Sequence, residues 1–479
     1  MGRGSCAMAQ KWWTLTAVVA GVFLLVVDIT IVNVALPDIG QAFHAPLSDL
    51  QWVIDAYALA LAAGLLTAGS LADLWGRRRV YAAGTAIFTI GSLLCGVATG
   101  PLFLAISRAG QGIGGSVVFA TSLALLGDAF RGRDRGMAFG IYGGILGLGV
   151  AVGPVLGGAL TSGISWRWIF FVNLPVGVAT VVVTLTKLRE SRIAAAVSPD
   201  WLGFVTFSGA LVLLVYGLIS GADGWGKPTA YVSLAAAAVL LAAFLAVELT
   251  QKHPMLDMTL FRKPTFNGGL LAAFGLNASI YSLFTYLVLY LQQQLGYSAA
   301  QTGVRFLALT AAMFAASTIA GRLTSAVPVR LMISGGFVLI GGGVLLMYGL
   351  TSSSSWTHLL PGMIVSGAGA GLVTVPLAST AVGVVDISRA GMASGINATA
   401  RQVGLATGIA ALGSIFAARS AHAGLAAGLN RIILIGAAVA FASALLSLVL
   451  IRRRDFVPPP GAQGSPQPAT AASAAEVGN

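Results

Sequence analysis

Long runs of apolar residues, separated by short polar stretches, extend from Trp12 to Ile451 along almost the whole chain. A helix needs roughly 20 apolar residues to cross the bilayer core, which is about 30 Å thick. Helices satisfy their own backbone hydrogen bonds, so a helix is the expected form of each run in lipid. The pattern predicts fourteen spans, near residues 14–36, 52–71, 80–98, 102–126, 136–161, 168–187, 202–220, 229–249, 266–292, 302–325, 330–350, 357–381, 394–418 and 431–451.

Basic residues concentrate in alternate connections between these spans. With the N-terminus inside the cell, most of the 27 Lys and Arg residues lie in cytoplasmic loops and in the tail. Loops that stay in the cytoplasm carry an excess of Lys and Arg, and an even number of spans returns the chain to its starting side. We therefore predict a multi-pass protein of the bacterial inner membrane with both termini in the cytoplasm.

The composition excludes several classes of protein. Hydrophobic residues make up 57% of the chain and charged residues 9%, whereas soluble domains are about 25% charged. The net charge of +12 belongs to membrane loops and not to a soluble basic module, so we expect no nucleic-acid partner. The cysteines Cys6 and Cys95 lack the spacing of a metal site, and the four histidines are scattered. We expect no metal, no cofactor and no enzymatic activity.

Five short motifs occur in order along the first half of the chain. The loop after span 2 reads Gly69-Ser-Leu-Ala-Asp73-Leu-Trp-Gly76-Arg77-Arg78-Arg79, and span 4 carries Arg108 followed by Gln111-Gly112. The other three are Asp28-Ile-Thr-Ile-Val-Asn33-Val-Ala-Leu-Pro37 in span 1, Gly149-Val-Ala-Val-Gly153-Pro154-Val-Leu-Gly157-Gly158 in span 5 and Trp166-Arg-Trp-Ile-Phe-Phe-Val-Asn173-Leu-Pro175 at span 6. Together they resemble the major facilitator superfamily, and specifically its fourteen-span drug:proton antiporter family.

The resemblance covers essentially the whole chain and implies an all-α fold. It implies two six-helix bundles around a central cavity that opens alternately to each side, with an extra helix pair between them. The expected units are a cytoplasmic arm at 1–13, a first bundle at 14–190, an inserted pair at 201–250 and a second bundle at 264–452. The tail at 455–479 is rich in Pro, Ala and Ser and is expected to be disordered.

Asp28 lies in the middle of span 1, where a charge costs about 2.5–3.5 kcal/mol on insertion scales and normally marks a functional residue. We interpret Asp28 as a carboxyl group that exchanges protons. The alternative is a structural acid that hydrogen-bonds Thr30, Asn33 or a neighbouring helix.

Two further charges lie inside neighbouring spans. Asp55 is about one turn inside span 2, so Asp28 and Asp55 can face one cavity and attract a lipophilic cation, or divide proton and substrate between them. The alternative for Asp55 is an acid solvated from outside. Arg108 lies about one turn inside span 4 and can set the protonation state of a carboxylate. Its alternative is a static pair with backbone carbonyls or Gln111.

The loop after span 2 combines one acid with several bases at the membrane surface. We interpret Gly69, Asp73, Gly76, Arg77 and Arg78 as a conformational latch in which the acid pairs with bases or with a helix N-terminus. The alternative is simple anchoring by the positive-inside rule. A second charged stretch, predicted to contribute the partner, consists of Asp128, Arg131, Arg133 and Arg135.

Span 5 contains glycines at intervals of four residues, which places them on one helix face. Gly149, Gly153 and Gly157 allow another backbone to approach closely, and Pro154 removes an amide donor and favours a kink. With Gly158, this pattern resembles the motif of antiporters. The alternative is ordinary packing of small residues.

Spans 9 to 14 contain no Asp or Glu deep inside, so we place proton chemistry in the first half. Polar and aromatic side chains in both halves are candidates for the substrate cavity, although most also suit packing. They are Asn33, Trp52, Tyr57, Gln111, Asn277, Tyr281, Asn397, Arg401 and Gln402.

The combined interpretation is a monomeric exporter of small hydrophobic, cationic compounds, driven by the proton gradient. The same fold also serves exporters of an endogenous metabolite, antibiotic or lipid, and symporters. The glycine motif of span 5 disfavours symport. A passive channel is disfavoured because no span repeats a polar stripe, and no phosphate-binding loop indicates ATP.

Overall fold

The computed structural model describes residues 3–130, 133–192, 199–221, 227–251, 254, 256–324, 327–385 and 390–456, and the elements below refer to those residues. Most of the predicted tail, from residue 457, lies outside them, as do the predicted loop bases Arg131, Lys252 and Arg389. All of the described regular elements are helices, which confirms the predicted all-α class.

The membrane-spanning helices begin and end near the predicted positions. We number them α1 (Arg3–Phe43), α2 (Leu47–Trp75), α3 (Arg77–Gly96), α4 (Pro101–Ala129), α5 (Arg133–Gly163), α6 (Trp168–Lys187), α7 (Trp201–Ser220), α8 (Pro228–Thr250), α9 (Pro264–Gln294), α10 (Ala299–Leu323), α11 (Val329–Leu346), α12 (Leu360–Gly383), and α13 and α14 within Ala390–Leu450. Short 3₁₀ turns lie at Met258–Arg262, Trp356–His358 and Arg453–Asp455.

The segment from Ala390 to Leu450 contains two spans, because helical hydrogen bonding continues across a break in the backbone. A single helix of its 61 residues would be about 90 Å long, three times the bilayer core. Gly424 has φ 82° and ψ 165°, which no helix contains, so α13 covers 390–423 and α14 covers 425–450. With α2, which bends by 52° between Leu47–Leu65 and Thr67–Trp75, the described residues form fourteen spans.

Several helices are longer than the apolar runs that predicted them. The first begins at Arg3 and includes most of the predicted arm, and α2 has 29 residues, or about 44 Å. Hydropathy marks only the part of a helix that lies in hydrocarbon, whereas helical hydrogen bonding continues through the polar interface. Pro37 and Pro154 both lie inside continuous helices.

Two sets of six helices repeat the same packing. In the first half α1 packs on α5, while α2 and α3 pack on α4 and α3 packs on α6. The second half repeats these pairs as α9 on α13, α10 and α11 on α12, and α11 on the Ala390–Leu450 segment. The halves meet where α2 packs against α13 and α5 packs against α10. The architecture is therefore two related six-helix bundles with one long interface.

The inserted helices α7 and α8 form a hairpin beside this interface. The first of them, α7, packs on α2 and α13, whereas α8 packs mainly on α7. Large apolar side chains of α8 are exposed, among them Val239 at 67% and Leu249 at 69%, as expected for a lipid-facing surface. Asp200 caps α7 by accepting a hydrogen bond from Gly203 N at 2.7 Å, and it also accepts one from Gln251 Nε2 at 2.9 Å.

We predict that Asp200→Ala lowers the stability of the protein by about 1 kcal/mol, because the cap and the link to α8 are both lost. Asp200→Asn keeps a side-chain oxygen as acceptor and serves as the matched control, with a stability close to the unchanged protein. Thermal unfolding of the purified protein in detergent measures both. Equal midpoints for the Ala variant and the unchanged protein would contradict the assigned cap.

Candidate functional site

A buried ion pair joins α1 to α4 in the centre of the first half. Arg108 Nη1 donates a short hydrogen bond to Asp28 Oδ2, and the two residues are 1% and 0% exposed. Both charges are removed from water, so each depends on the other and on nearby polar groups. The sequence left open that Asp28 hydrogen-bonds Thr30, Asn33 or a neighbouring helix, and the observed partners lie on neighbouring helices and not within span 1.

Polar side chains from α3, α4 and α6 complete this cluster. Gln111 Nε2 donates to Asp28 Oδ1 at 2.8 Å, and Gln111 Oε1 accepts from Arg108 Nη1 at 2.7 Å. Asn173 Nδ2 donates to the same Asp28 oxygen at 3.2 Å, and Ser92 Oγ accepts from Gln111 at 2.7 Å. Both carboxylate oxygens of Asp28 therefore accept hydrogen bonds, and such additional partners are what a buried ion pair needs to be stable.

The aromatic face of Tyr57 covers the guanidinium of Arg108, with 4.2 Å between the ring centre and Cζ. Arg108 Nε also donates to the carbonyl oxygen of Val53 at 3.1 Å. Tyr57 is 2% exposed and Gln111 is 0% exposed. The structure thus places Asp28, Tyr57 and Gln111 in the interior of the first half, whereas the sequence analysis placed them along an open cavity.

Asp55 is buried without a hydrogen-bonding partner. It is 0% exposed, and neither carboxylate oxygen has a hydrogen bond among the described residues. It lies on α2 one turn from Gln51, whose Nε2 donates to Tyr286 Oη at 3.0 Å and to the carbonyl oxygen of Ile409 at 3.1 Å. Asp55 therefore lies where α2 of the first half meets α9 and α13 of the second, and it is not the solvated acid that the sequence left open.

Further hydrogen bonds between the halves lie near the face of the bundle where α1 ends and α2 begins, which we call the α1–α2 end. Thr285 donates to Asn33 Oδ1 at 2.7 Å, and Gln292 donates to the carbonyl oxygen of Val34 at 2.8 Å. Ser162 Oγ accepts from Ala300 N at 2.9 Å. Together with Gln51, these contacts close the interface at the α1–α2 end.

The opposite face of the bundle lies where α2 ends and α3 begins. We call this face the α2–α3 end. A Cβ atom added to Gly69 on α2 would meet no atom within 4 Å. Thr399 on α13 donates to the carbonyl oxygen of Ala62 at 3.3 Å, in the middle of α2. The described conformation is thus closed at the α1–α2 end and has open space beside α2 near the other end.

Two candidate cavity residues of the second half, Asn397 and Tyr281, lie near Arg401. Its Nε donates to Asn397 Oδ1 at 3.3 Å, and Ser282, which follows Tyr281, donates to the carbonyl oxygen of Leu405, one turn after Arg401, at 3.2 Å. Tyr281 and Asn277 lie on one π-helical turn of α9, Asn277–Tyr281, a type of turn that is frequent at functional sites. Gln402 is partly exposed beside Arg401.

Trp52 was a candidate for the substrate cavity. Its ring centre lies 6.5 Å from that of Tyr216 on α7, so it packs against the inserted pair and not in the centre between the halves.

The glycines of α5 bring that helix into close contact with both halves. A Cβ atom on Gly153 would lie 1.8 Å from Thr30 Oγ1, so only glycine permits this approach to α1. Gly149 and Gly157 face Val26 and Ile31 of α1, whereas Gly158 faces Ala299 at the start of α10, and the carbonyl oxygen of Pro154 faces Gly303 of α10. The regular spacing therefore produces a helix held between α1 and α10.

The charged loop after α2 forms a network within the first half. Arg77 donates to Asp73 Oδ1 at 3.0 Å and to Asp128 Oδ2 at 2.6 Å, which links α2, α3 and α4. Glu190, beyond the end of α6, accepts from Arg78 N at 3.0 Å. Arg131 and the side chains of Arg133 and Arg135, predicted as partners, lie outside the described residues.

A sequence profile of the Major Facilitator Superfamily matches residues 18–409 and, in a second match, residues 270–476. The chain belongs to the Major Facilitator Superfamily. It is 37% identical over 407 residues to the multidrug resistance protein Stp of Mycobacterium tuberculosis (strain CDC 1551 / Oshkosh), a match that covers 85% of this chain and 76% of Stp. It is 36% identical over 411 residues to the puromycin resistance protein pur8 of Streptomyces alboniger, with 85% and 82% covered.

A solved structure supports the same fold. The crystal structure of a bacterial homologue of the human lysosomal transporter Spinster, in an inward-facing and occupied conformation, superposes with a TM-score of 0.65. The match covers 93% of this chain and 98% of that one, at 17% sequence identity. The fold is therefore that of a Major Facilitator Superfamily transporter, and the chain is similar in sequence to drug-resistance members of that superfamily.

Several residues of this transporter escaped the sequence analysis as site residues. Asn173 belongs to a quoted motif, which could have identified it as a partner of the buried pair. Gln51 links the two halves through its hydrogen bonds to the second half, and Glu190 joins the loop network. Polar residues of this kind are common at helix ends, and their pairing depends on the distance between helices far apart in sequence.

We predict that Gly76→Ala destabilises the transporter by about 1–3 kcal/mol, because Gly76 has φ 100° and a Cβ atom would lie 2.4 Å from Glu190 Oε1. Gly69→Ala is the matched control, since its Cβ atom would enter open space. Thermal unfolding in detergent compares the two, and a Gly76 variant as stable as the Gly69 variant would exclude the described loop geometry.

We also predict that Arg108→Gln costs about 3–5 kcal/mol of stability, because it leaves Asp28 buried without its partner charge. The double variant Asp28→Asn, Arg108→Gln removes both charges and should recover most of that loss. Chemical denaturation of the unchanged protein, of Asp28→Asn, of Arg108→Gln and of the double variant gives the coupling energy. Additive losses in the double variant would show that the two side chains do not interact.

Proposed function

We propose that the chain exports small hydrophobic compounds in exchange for protons by alternating access. The similarity to the multidrug resistance protein Stp and the puromycin resistance protein pur8 supports export as the function. Proton exchange is supported by Asp28 and Asp55, two acids that are buried inside helices of the first half.

The observation that carries proton coupling is the isolation of Asp55. An unpaired carboxylate in a low-dielectric interior is costly, so the neutral, protonated form is favoured in the described conformation. Asp55 lies at the junction of α2 with α9 and α13, which must separate if the α1–α2 end opens. Separation of Gln51 from Tyr286 and Ile409 would admit water to Asp55 and allow it to exchange its proton.

The distribution of basic residues supports an orientation with the α2–α3 end in the cytoplasm and both termini on that side. The described conformation is then closed toward the outside. Substrate enters from the cytoplasm and leaves when the α1–α2 end opens. Asp55 then takes a proton from outside, the α1–α2 end closes, and binding of the next substrate releases that proton to the cytoplasmic side. One proton that moves inward across 100 mV provides about 2.3 kcal/mol, enough for about a fiftyfold gradient of a neutral substrate.

The buried pair and the loop network take separate parts in this proposal. Asp28 and Arg108 hold α1 and α4 together, and a change in the protonation of Asp28 would release the guanidinium and alter the packing of the first half. The contacts of Arg77 with Asp73 and Asp128 stiffen the cytoplasmic end as the latch. Both roles rest on geometry within one half.

We propose that the transporter acts as a monomer in the bacterial cytoplasmic membrane, without a cofactor and with the proton gradient as its energy source. The sequence analysis expected a cationic substrate because two acids were to share the cavity. Because Asp28 pairs with Arg108, Asp55 is the only one of these two acids that remains to attract a cationic substrate. Export of an endogenous metabolite, antibiotic or lipid uses the same proton step.

Asp55→Asn tests the proposal directly. In proteoliposomes that contain the unchanged protein, an imposed proton gradient should accelerate movement of the dye rhodamine 123, and a protonophore should abolish the acceleration. The Asn variant keeps the shape of the side chain but cannot exchange a proton, so we expect the acceleration to be lost while dye binding is retained.

Asp49→Asn provides the control, because Asp49 lies on the same helix near its exposed end. Its transport should match that of the unchanged protein. Full proton-driven transport by Asp55→Asn would move the proton site elsewhere, and transport by the unchanged protein without any proton gradient would end the antiport proposal.

A further inference from the structure

One positive charge between the two halves has no acidic partner. Arg401 lies on α13, two residues after Thr399, whose hydroxyl meets the middle of α2 at Ala62. Its depth is therefore near the centre of the membrane. Its side chain is partly exposed, and no Asp or Glu of the described residues pairs with it. The hydrogen bond to Asn397 at 3.3 Å is long and uses only the Nε group.

Two tyrosines, one from each half, accompany this guanidinium. Tyr142 of α5 belongs to a buried cluster against which Ala398 of α13 packs, one turn before Arg401. Tyr281 of α9 adjoins Ser282, whose hydroxyl donates to the carbonyl oxygen of Leu405, one turn after Arg401, at 3.2 Å. Tyr142 is 6% exposed, and its hydroxyl group has no hydrogen-bonding partner among the described residues. A buried hydroxyl without a partner is costly. Arg401 makes one long hydrogen bond and Tyr142 Oη makes none among the described residues, so both have donors to offer a ligand at the point where the halves meet.

The acids of the first half do not supply that acceptor. Asp28 is occupied by Arg108. Asp55 lies seven residues from Ala62 on α2, which places it about 10 Å closer to the closed α1–α2 end. The accessible charge near the centre of the interface is therefore positive, and a ligand that compensates it is an anion.

The chemistry of the donors limits the ligand further. A guanidinium presents a planar fork that matches the two oxygens of a carboxylate, and such bidentate pairs are stronger than neutral hydrogen bonds. Arginine also stacks on aromatic faces, so an aromatic body beside the acidic group gains additional contact. Tyr281 donates its hydroxyl to Met313 Sδ at 3.3 Å, which fixes the orientation of the partly exposed ring, and that ring offers an apolar face to a ligand.

We propose that Arg401, with Tyr142 and Tyr281, forms a subsite for the acidic group of amphipathic substrates, such as a carboxylate or phenolate on an aromatic body. This inference rests on the proposed export function and names the class of substrate that the function serves. Because the subsite takes one tyrosine from each half, the substrate bridges α5 and α9 when the interface is closed at the α1–α2 end.

Two dyes that share a xanthene ring system but differ in charge test this subsite. Fluorescein is anionic at neutral pH and rhodamine 123 is cationic. Fluorescence polarisation with the purified full-length protein in detergent gives the dissociation constant for each. We expect Arg401→Gln to weaken fluorescein binding about tenfold or more and to leave rhodamine 123 binding within about twofold. Arg401→Lys keeps the positive charge but lacks the paired N–H donors of the guanidinium, so it should weaken fluorescein binding less than Arg401→Gln does.

The matched control is Arg305→Gln on α10. Arg305 also stacks on an aromatic ring, with 3.6 Å between Cζ and the ring centre of Tyr297, but it lies near the α1–α2 end. Its loss should not change fluorescein binding. If Arg401→Gln does not fold, the Lys variant decides: a selective loss of fluorescein supports the subsite, and unchanged binding overturns it.

Other results would also overturn the subsite: no fluorescein binding by the unchanged protein, unchanged fluorescein binding by a folded Arg401→Gln variant, or equal losses for both dyes. The proposed proton exchange fails in a different experiment, when rhodamine 123 transport is independent of the proton gradient. Dye binding in detergent requires no gradient, so the two failures are distinguishable.

Discussion

The ion pair between Asp28 and Arg108 is the constraint on which the first half depends. In an apolar bundle neither charge can be left alone, and polar groups from further helices complete the cluster around the pair. Gln111 contributes from α4, Ser92 from α3 and Asn173 from α6. The pair thus holds four helices at one depth in the membrane, and it removes Asp28 and Arg108 from direct contact with the space between the halves.

Two other charged side chains, Asp55 and Arg401, lie at different depths of the interface between the halves. Asp55 is alone near the closed end, and Arg401 is alone near the middle of the interface. The carboxyl group of Asp55 can take or lose a proton, whereas the guanidinium of Arg401 stays charged. The two groups lie at different depths along the contact of α2 with α13. In the function that we propose, proton exchange at Asp55 and substrate binding at Arg401 therefore do not compete for one residue.

Movement between the halves is limited by how closely their helices pack. The backbone of α5 touches α1 on one side and α10 on the other, and such approaches are possible only where side chains are absent, as at Gly153. At the closed end the contacts are hydrogen bonds of single side chains, such as Gln51 with Tyr286. Small numbers of polar contacts can break and re-form at moderate cost, whereas the packed bundles move as units.

The sequence by itself determined the number of spans, the all-α class, the two related halves and the family, because hydrophobic runs and short motifs are local properties of the chain. It also identified Asp28, Asp55 and Arg108, since charges inside apolar runs are conspicuous. Only the tertiary structure decided that Asp28 pairs with Arg108, that Asp55 is alone, and that Tyr57 lies on a guanidinium and not in a cavity. Partners on helices dozens to hundreds of residues apart are set by how the helices pack, and no local pattern records that packing.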